Sequence, residues 1–517
     1  MTSHPRIFII GGGLAGLTAA LHLAKRGVAV TILEADALPG GRLRGGDPVT
    51  IDQWSFPSEH GIHGVWGQYH NLREMLTREQ IDAGFAPARE EAWIMRGPGN
   101  RARVQWTKSG SALRKSWIPA PFHYLALFIR PRFLQMLTLR DLASMFRVLS
   151  GLIFAAAYDP AVEQSRMDRY TLADFFKGWS PTLQSLFVGL ARNFTSARPE
   201  QVPQAGFIAF LRFYTLLRRD SWQFSYFNRD SHSALIAPLV DAIKAAGGEI
   251  ELGAMVTELI REEDGWRVRW IEGAEQQEAS ADQVILALDI PAARKLLTHS
   301  FGAGASNLSW SLAVPVAVLR YWFKRVPKGA ISKPEAGIFT GQFVLDNYFW
   351  LHRFQQPFMD WHTATGGSAI ECHIYGPPEL LREPDAVLLA RGLQDITRVF
   401  PELRGTVITQ SIRRNAATHS LFDGNTERGL SVDTAWSAMG LWACGDWVRY
   451  PHAALYMERA VVTGMAAANG VLRSRGLEEF PIRPVDPPEL LARGVENAMR
   501  WVRRRARDYN RRRGSGQ

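Results

Sequence analysis

The hydrophobic pattern at the start of the chain predicts a buried strand, a tight turn and a helix. Residues 7–10 are all apolar, three glycines follow at once, and apolar residues dominate positions 17–23. A second apolar run at residues 28–33 has the length and β-branched composition of a strand. The order predicts a strand–helix–strand unit with buried strands.

Glycines in this turn have the spacing that binds a dinucleotide. Gly11, Gly13 and Gly16 form the pattern G-x-G-x-x-G. The first allows the turn, the second lets the backbone approach a pyrophosphate, and the third lets the helix pack on the strand. Leu14 and Ala15 begin the helix, where free N–H groups and the helix dipole favour a phosphate. The alternative is a glycine turn that binds no nucleotide.

A carboxylate and a second glycine turn narrow the choice of nucleotide. Glu34 ends the second strand 18 residues after Gly16, where a ribose-binding acid is expected. Gly40, Gly41 and Arg42 follow shortly afterwards. This arrangement resembles the flavoprotein family of amine oxidases and carotenoid desaturases, and the resemblance implies FAD as the cofactor.

The hydrophobic pattern further along predicts two more pieces of the same domain. The first, within residues 231–288, reads as a helix ended by a glycine pair and then several strands, among them 249–252 and 265–270. The second combines a short strand at 441–444 with a helix over about 453–472. The flavin-binding domain is therefore expected to be discontinuous.

Three residues in these later pieces are cofactor candidates through the resemblance. It implies that Asp446, after Gly445, binds the ribityl–pyrophosphate region of the flavin. It also implies that the following helix directs its positive end at the flavin ring. Val256 matches the family's strand whose backbone pairs with adenine, although an ordinary sheet valine is an equal alternative.

The expected fold class is α/β, with a discontinuous Rossmann-like FAD-binding domain and an inserted α+β substrate domain, as in amine oxidases and phytoene desaturases. The predicted pieces are FAD-binding at 1–80, 231–300 and 431–475, substrate-binding at 81–230 and 301–430, and a basic tail at 476–517.

Two segments have patterns that suit a membrane surface. Residues 120–158 are rich in apolar side chains with interspersed arginines, which predicts either a buried helical pair or a helix that faces lipid. In the tail, Leu491, Val495, Met499 and Val502 recur at helical spacing among arginines. The tail is expected to bind a membrane surface or, alternatively, to dock on the protein by this stripe.

Composition excludes several classes of protein. The 517 residues include 17 Trp and 27 Phe but two Cys, which cannot form a disulfide framework, and no metal-ligand spacing is visible. The net charge of +10 is concentrated in the tail, so no nucleic-acid partner is expected. No secretory signal or membrane-spanning run is evident. We expect a cytoplasmic, peripherally membrane-associated protein.

Four stretches resemble a narrower group within the family, the carotenoid phi- and chi-ring synthases. They are residues 59–64, 345–353, 366–377 and 443–449. The resemblance implies a lipophilic carotenoid substrate whose β-ionone ring is desaturated with migration of a methyl group, giving an aromatic ring. Hydride would pass to flavin N5. The sequence does not identify the electron acceptor that reoxidises the flavin.

The chemistry implied by this resemblance needs a base near the substrate ring. Glu59, His60 and His63 are the candidates, because their segment matches the family's flavin-side stretch. Glu59 or His60 would be the base. The alternative for the two histidines is a hydrogen bond to backbone near the flavin.

Other functions stay open. The chain could be another carotenoid or isoprenoid desaturase, a dehydroxylase, or an amine oxidase, although it shows no lysine diagnostic of the last. A flavin-bearing lipid-binding protein without turnover is the alternative from a different class.

Overall fold

The structure is a computed structural model that describes residues 6–88, 91–96, 102–107, 109–158, 170–185, 188, 198–329, 333–421 and 428–514. Of the six predicted domain pieces, 231–300 and 431–475 lie wholly within these ranges. The strands in chain order are β1 Ile7–Ile10, β2 Val30–Glu34, β3 Gly46–Ile51, β4 Trp54–Ser58, β5 Gly64–Trp66, β6 Phe85–Pro87, β7 Glu91–Arg96, β8 Ala102–Thr107, β9 Phe224–Phe227, β10 Glu249–Leu252, β11 Ala254–Glu262, β12 Gly265–Glu272, β13 Glu275–Ala281, β14 Gln283–Leu286, β15 Val316–Phe323, β16 Ala336–Phe339, β17 Asn347–Trp350, β18 Ser368–Ile374, β19 Val407–Asn415 and β20 Leu441–Ala443.

The α-helices in the same ranges are α1 Leu14–Ala24, α2 His70–Arg78, α3 Ser109–Arg114, α4 Leu125–Phe128, α5 Pro131–Leu134, α6 Leu139–Ala143, α7 Met145–Ala157, α8 Leu172–Phe175, α9 Gln204–Leu211, α10 Ala237–Ala245, α11 Ile290–Phe301, α12 Ala303–Ser306, α13 Gln356–Thr365, α14 Asp385–Val399, α15 Tyr456–Ser474 and α16 Leu490–Gly514.

A five-stranded parallel sheet forms the centre of the nucleotide-binding part, in the order β10-β2-β1-β14-β20. All four residues of β1 are buried, because β2 and β14 flank this strand and helices cover the sheet. The apolar runs at the start of the chain therefore form the predicted strands. The α/β class with a Rossmann-like sheet is confirmed.

Helix α15 lies directly against helix α1, near the glycine turn. Every residue of α1 is buried. At Gly464 in α15, a Cβ atom would lie 2.5 Å from the backbone oxygen of Ala15. A glycine is needed there because the two helix backbones approach so closely. This contact fixes the end of the chain's nucleotide-binding part onto its beginning.

A seven-stranded sheet forms the second layered unit, in the order β19-β15-β18-β17-β16-β7-β8. Its neighbours run antiparallel except for the parallel pair β16 and β7. Helix α14 packs on one face over a separate apolar cluster. Three small sheets complete the described strands: β3–β4, β5–β9–β6 and β11–β12–β13.

Short helices make up residues 125–157, and the tail helix α16 packs against α7. Val148 and Leu152 of α7 are buried, as in a helix that packs inside the protein, while Phe146 and Phe154 are exposed. Contact of the exposed face with lipid stays a prediction. None of the helices in the described ranges is long and apolar enough to cross a membrane.

The tail helix docks by a stripe that overlaps the predicted one in part, because Val495 packs against the core and Met499 is half-buried. Ala492 and Glu496 are buried, whereas Leu491 and Val502 are about half exposed. Glu496 forms an ion pair with Arg212 at 2.9 Å, so the docked face includes a buried charged residue beside the apolar ones. Periodicity identified the helix but not this polar partner.

Candidate functional site

The first glycine turn has the geometry of a phosphate-binding site. Gly11 has φ +106°, and a Cβ there would lie 2.6 Å from the backbone oxygen of Ala287. At Gly16 a Cβ would lie 2.1 Å from the oxygen of Gly11. Gly13, in contrast, has nothing within 4 Å of its Cβ position. The turn is therefore closed towards the sheet and open where a pyrophosphate would approach.

Helix α1 directs its N-terminus at this opening. Gly13 is the N-cap residue and supplies no side-chain hydrogen bond. Leu14 and Ala15 are the first two buried residues of the helix. Because the first backbone N–H groups of a helix have no partner within it, those of this turn are available to an anion.

Glu34 sits at the end of β2, where it touches the glycine turn. Its Oε2 accepts a hydrogen bond from the Gly12 N–H at 2.6 Å, and its Oε1 accepts one from the Asp36 N–H at 2.8 Å. Burial raises the pKa of this carboxyl group. Each carboxylate oxygen retains a lone pair, so the side chain can still accept from a ribose diol.

The second glycine turn is joined to the first. Gly40 donates its N–H to the backbone oxygen of Gly12 at 2.8 Å. Both Gly40 and Gly41 have positive φ, +121° and +55°, which side chains other than glycine rarely adopt. They turn the chain so that Arg42 forms an ion pair with Asp446 at 2.5 Å.

The third segment meets the first two at this ion pair. Asp446 is buried and follows Gly445, which has φ +149° and donates its N–H to the Thr463 hydroxyl group at 3.0 Å. Helix α15 then begins at Tyr456, a non-glycine residue with φ +53°. The strained first residue places the positive end of this helix beside Arg42 and Asp446.

Val256 lies on a different sheet from the glycine turns. It pairs with Trp270 across β11 and β12, and the ladder is irregular between Val256 and Glu258. The β10–β11 turn reaches the nucleotide-binding edge, because Gly253 donates its N–H to the Asp36 oxygen at 3.2 Å. The position suits backbone pairing with an adenine, which stays a prediction.

These residues fit FAD. The open side of Gly13, the helix N-terminus, the buried Glu34 and the Arg42–Asp446 pair converge from three distant segments of the chain. Together they offer N–H donors for a pyrophosphate and a carboxylate for a ribose diol.

A cavity of about 280 Å³ lies next to Arg42. Four imidazoles line it, from His60, His63, His373 and His419. Aromatic side chains form much of the remaining wall: Trp66, Tyr69, Trp222, Phe224, Tyr226, Phe349, Tyr375 and Tyr456. Among the described residues that line the cavity there is no carboxylate and no lysine. The wall is thus largely apolar and aromatic, and its main polar groups are the four imidazoles and the Arg42 guanidinium, which is paired with Asp446.

Three of the four cavity histidines, His60, His63 and His419, are held neutral. Burial lowers the pKa of His63 and of His419 to about 4, in each case with a further contribution from the Arg42 charge. Burial also lowers the pKa of His60 well below its usual value. The Nδ1 atom of His63 is buried, and the described residues provide it with no hydrogen-bond partner. Each imidazole can therefore offer a lone pair to a ligand.

Glu59 is next to His60 in the sequence, but its side chain does not line the cavity. Its carboxylate accepts from the N–H and hydroxyl groups of Ser231 at 2.8 and 2.9 Å and from the Gln355 amide at 2.8 Å. Burial raises its pKa to about 7, although the nearby Arg320 opposes this. The contacts give Glu59 a role in holding the His60 loop against the start of the helix that leads into α10.

A second buried carboxylate reaches the cavity through a histidine. Glu371 Oε2 accepts from the Arg320 Nε–H at 2.6 Å, and its Oε1 lies 2.7 Å from His373 Nε2. The Nδ1 atom of His373 lies 2.8 Å from the Tyr375 hydroxyl group. Burial raises the pKa of Glu371, but Arg320 and His373 outweigh it and lower the pKa to about 2.

A known protein family matches the part of the chain that contains most of the flavin motifs. The family model described as flavin containing amine oxidoreductase matches residues 14–472. The chain belongs to this family. It is an FAD-dependent oxidoreductase.

Curated relatives of this chain are carotenoid enzymes. It is 28% identical to the carotenoid phi-ring synthase of Streptomyces griseus over 92% of this chain and 89% of that one. It is 23% identical to the phi-ring synthase of Chlorobaculum tepidum, with 94% and 91% covered. The 15-cis-phytoene desaturase of Synechococcus elongatus is 22% identical, with 77% and 80% covered.

Solved structures of amine oxidases share the fold. Cyclohexylamine oxidase from Brevibacterium oxydans superposes with a TM-score of 0.65 at 14% identity, covering 92% of this chain and 100% of that one. Putrescine oxidase bound to putrescine gives 0.63 at 13% identity, with 91% and 99% covered. At this identity the likeness concerns the fold alone.

Within this family fold, the structure brings together most of the predicted site. The predicted glycines, Glu34, Arg42 and Asp446 form one cluster, and His60 and His63 face the cavity beside it. Sequence reasoning missed His373, Tyr375, His419 and Tyr456 as lining residues. For the first two a signal existed, because Glu371, His373 and Tyr375 alternate with apolar residues along β18 and beyond, which puts polar groups on one buried face.

No group of three or more potential metal ligands with suitable geometry occurs among the described residues. The four cavity histidines do not form one.

Proposed function

We propose that this protein is an FAD-dependent carotenoid oxidoreductase that desaturates a β-ionone ring, with migration of one methyl group, to give an aromatic end group. The observation that carries the proposal is the cavity beside Arg42, with its aromatic wall and its imidazoles and with no acid or lysine among its described lining residues. The names of the curated relatives support the same substrate class.

The cavity suits a reaction with cationic intermediates. Aromatic faces attract a cation through the ring quadrupole, and Trp66 and Phe224 stack at 5.0 Å between centroids on one side of the cavity. Imidazoles with lowered pKa values carry no charge that would repel such a cation. A carotenoid is much larger than about 280 Å³, so the cavity would receive one end group.

Aromatisation removes four hydrogens from each ring, as two hydrides and two protons. FAD, when bound, supplies the acceptor for the hydrides. The protein must exclude water from the cationic ring, position it, and accept the two protons. His63 is a candidate for proton transfer, because it lines the cavity beside Arg42 and has a lowered pKa. His60 lies in the same loop as His63. The Asn415 side-chain amide anchors this loop by donating to the His60 backbone oxygen at 2.6 Å.

The absence of acid and lysine from the described cavity lining bears on the alternatives. An amine oxidase binds a substrate that is cationic in solution, and a carboxylate in the site would compensate that charge. The described lining has none. Another desaturase or a dehydroxylase of an isoprenoid would suit the same apolar wall, so product analysis must separate them.

Expression in a host that accumulates β-carotene tests the proposal. The expected result is a pigment whose mass is lower by four hydrogens per converted ring and whose methyl groups lie on an aromatic ring. Gly16→Val is the control, since any Cβ at this position would lie 2.1 Å from the Gly11 oxygen and disrupt the FAD turn.

Purified enzyme completes the test under anaerobic conditions. β-Carotene is expected to bleach the flavin, whereas simple amines are not. Bleaching by amines alone would overturn the proposal in favour of an amine oxidase, and bleaching by phytoene alone would favour a chain desaturase. No bleaching by any of these compounds would favour a flavoprotein without turnover.

We also infer that the enzyme binds a membrane surface peripherally. Large apolar side chains are exposed on residues 117–154 and 490–502: Trp117, Ile129, Leu134, Leu139, Leu142, Phe146, Phe154, Leu490, Leu491, Trp501 and Val502. We call these residues the apolar surface. Arginines of α16 would meet anionic headgroups.

A further inference from the structure

We propose that Tyr375, His373 and Glu371 form a proton relay that removes one of the two protons from the substrate ring. The inference rests on the proposed function, since it assigns a role within that reaction. Tyr375 is the catalytic residue at the cavity wall, His373 takes up the proton, and Glu371 is a positioning residue.

The relay follows one face of a strand. Glu371 and His373 alternate along β18 with Ile370, Cys372 and Ile374, which belong to the apolar core on the opposite face. Successive side chains of a strand point to opposite sides, so the two polar groups share one side. Tyr375 continues the alternation immediately after the strand ends. Backbone geometry therefore fixes the order of the three groups.

The hydrogen bonds give the relay a direction. Glu371 is fully buried and faces Arg320 at 2.6 Å, and it is kept as a carboxylate that can only accept. His373 Nε2, at 2.7 Å, must then carry the hydrogen. In the neutral imidazole, Nδ1 then has a lone pair that can accept from the Tyr375 hydroxyl group at 2.8 Å. The tautomer is thus assigned by the network.

The surroundings complete the arrangement. Glu371 Oε1 also accepts from the Ile62 N–H at 2.7 Å, and Asn347 donates to the Tyr375 oxygen at 3.3 Å. Tyr375 and His373 line the cavity, whereas Glu371 and Arg320 lie behind them. The charged end is therefore shielded from the substrate, and the neutral phenol faces it.

Proton transfer along this path balances. After hydride loss, a C–H bond next to the cationic centre breaks and its electron pair becomes a ring double bond. The proton joins the Tyr375 oxygen while the phenol's own proton passes to His373 Nδ1. Glu371 stabilises the resulting imidazolium. After product release the proton returns through Tyr375 to water. The phenol oxygen is a weak base, but a carbocation is a strong enough acid for it.

Tyr375→Phe tests the relay because it removes one oxygen atom and leaves the ring. We expect ring conversion to slow about 100-fold or more. FAD content, carotenoid binding and the first anaerobic bleaching of the flavin should be retained, because hydride transfer precedes the proton step. Carotenoid that has lost fewer than four hydrogens per ring should accumulate.

His373→Gln and the double variant show whether the two residues act as a unit. Residues of one relay are non-additive, so the double variant should be no slower than the slower single variant. Tyr348→Phe, which removes the hydroxyl group of a buried tyrosine on β17 that does not line the cavity, is the comparison for loss of a hydroxyl group as such. It should not change the ratio of partly to fully converted rings.

The outcomes separate the relay from the proposed function. If the wild-type protein forms no aromatic ring, the proposed function fails. If it does, and Tyr375→Phe converts rings at a rate within about twofold of wild type, the relay is wrong. Multiplicative rate losses in the double variant would also contradict it. Should Tyr375→Phe fail to fold, as judged by circular dichroism and FAD content, His373→Gln decides by the same rate criterion.

Discussion

Gly464 determines how closely the last nucleotide-binding helix approaches the first. A Cβ atom there would lie 2.5 Å from the Ala15 oxygen and 3.0 Å from Thr18 Cβ, and the first of these is backbone that cannot turn aside. Gly464→Ala should therefore separate α15 from α1 and destabilise the protein by about 1–3 kcal/mol. FAD content and melting temperature measure the effect, and both are expected to fall.

Gly494→Ala is the matched control for this substitution. Gly494 is also within a helix, α16, but it is exposed and has nothing within 4 Å of its Cβ position. Alanine favours the helix over glycine by about 0.5–1 kcal/mol, so this variant should be as stable as wild type or more stable. Equal losses in the two variants would show that packing at Gly464 is not the cause.

Residue identity alone predicted the flavin site better than the reacting site. The conformation of a glycine turn depends on residues that are neighbours in sequence. The spacing of the glycines was therefore enough to predict the flavin-binding turns. The pairing of Arg320 with Glu371 arises because β15 lies beside β18, and no local pattern reveals which strands are neighbours. For the same reason the sequence could not show that Glu59 is bonded to Ser231 and Gln355, because both partners are distant in sequence.

Helix α16 carries the part of the apolar surface that is easiest to test. Leu490 and Trp501 are 85% and 57% exposed, so replacing them should leave the fold intact. We expect the double variant Leu490→Ser, Trp501→Ser to bind anionic liposomes at least ~10-fold more weakly, because two large apolar side chains no longer enter the interface. Co-sedimentation with vesicles measures the change.

The control for this pair replaces exposed apolar side chains elsewhere. Met359 on α13 and Ile408 on β19 are 36% and 41% exposed and lie outside the apolar surface. Met359→Ser, Ile408→Ser should bind vesicles as the wild type does. Unchanged binding by the α16 variant would contradict membrane contact through this helix.

Elements with a continuous or periodic hydrophobic pattern were predictable, and their docking was not. The strands of the nucleotide-binding sheet and the helices α1 and α15 follow from apolar runs between glycines. The pattern around α16 predicted a helix, but its contact with Arg212 depends on a residue almost 300 positions earlier. Sequence periodicity describes one face of an element and carries no information about its partner.

Buried histidines make the stability of the whole molecule depend on pH. Their folded-state pKa values lie below the unfolded value of 6.5, at about 4 for His22, His63, His123 and His419, at about 3 for His352, and well below 6.5 for His60. Between those values and pH 6.5 the unfolded chain binds more protons, so stability rises with pH in this window and is lost as pH falls.

Two buried carboxyl groups act in the opposite direction. The folded-state pKa values of Glu59 and Glu458 are raised to about 7, so each favours the folded state as pH falls from 7 towards 4.5. Burial also raises the pKa of Glu34, which adds a third carboxyl group to this effect. The six histidines outnumber them. We expect the melting temperature to fall by ~5 °C or more between pH 7 and pH 5, measured by scanning fluorimetry. A constant or rising value would contradict the histidine assignment.

The contact of α1 with α15 also has a consequence for the order of folding during synthesis. Strand β1 needs β14, and α1 needs a helix that ends at Ser474, so the first elements to leave the ribosome wait for nearly the last. At ordinary translation speeds of about 5–20 residues per second, that delay is roughly 20–90 s. During it the nascent chain exposes a strand and a helix that are wholly buried in the finished protein. The Arg42–Asp446 pair likewise joins an early segment to a late one, so the predicted flavin site is complete only once α15 has docked.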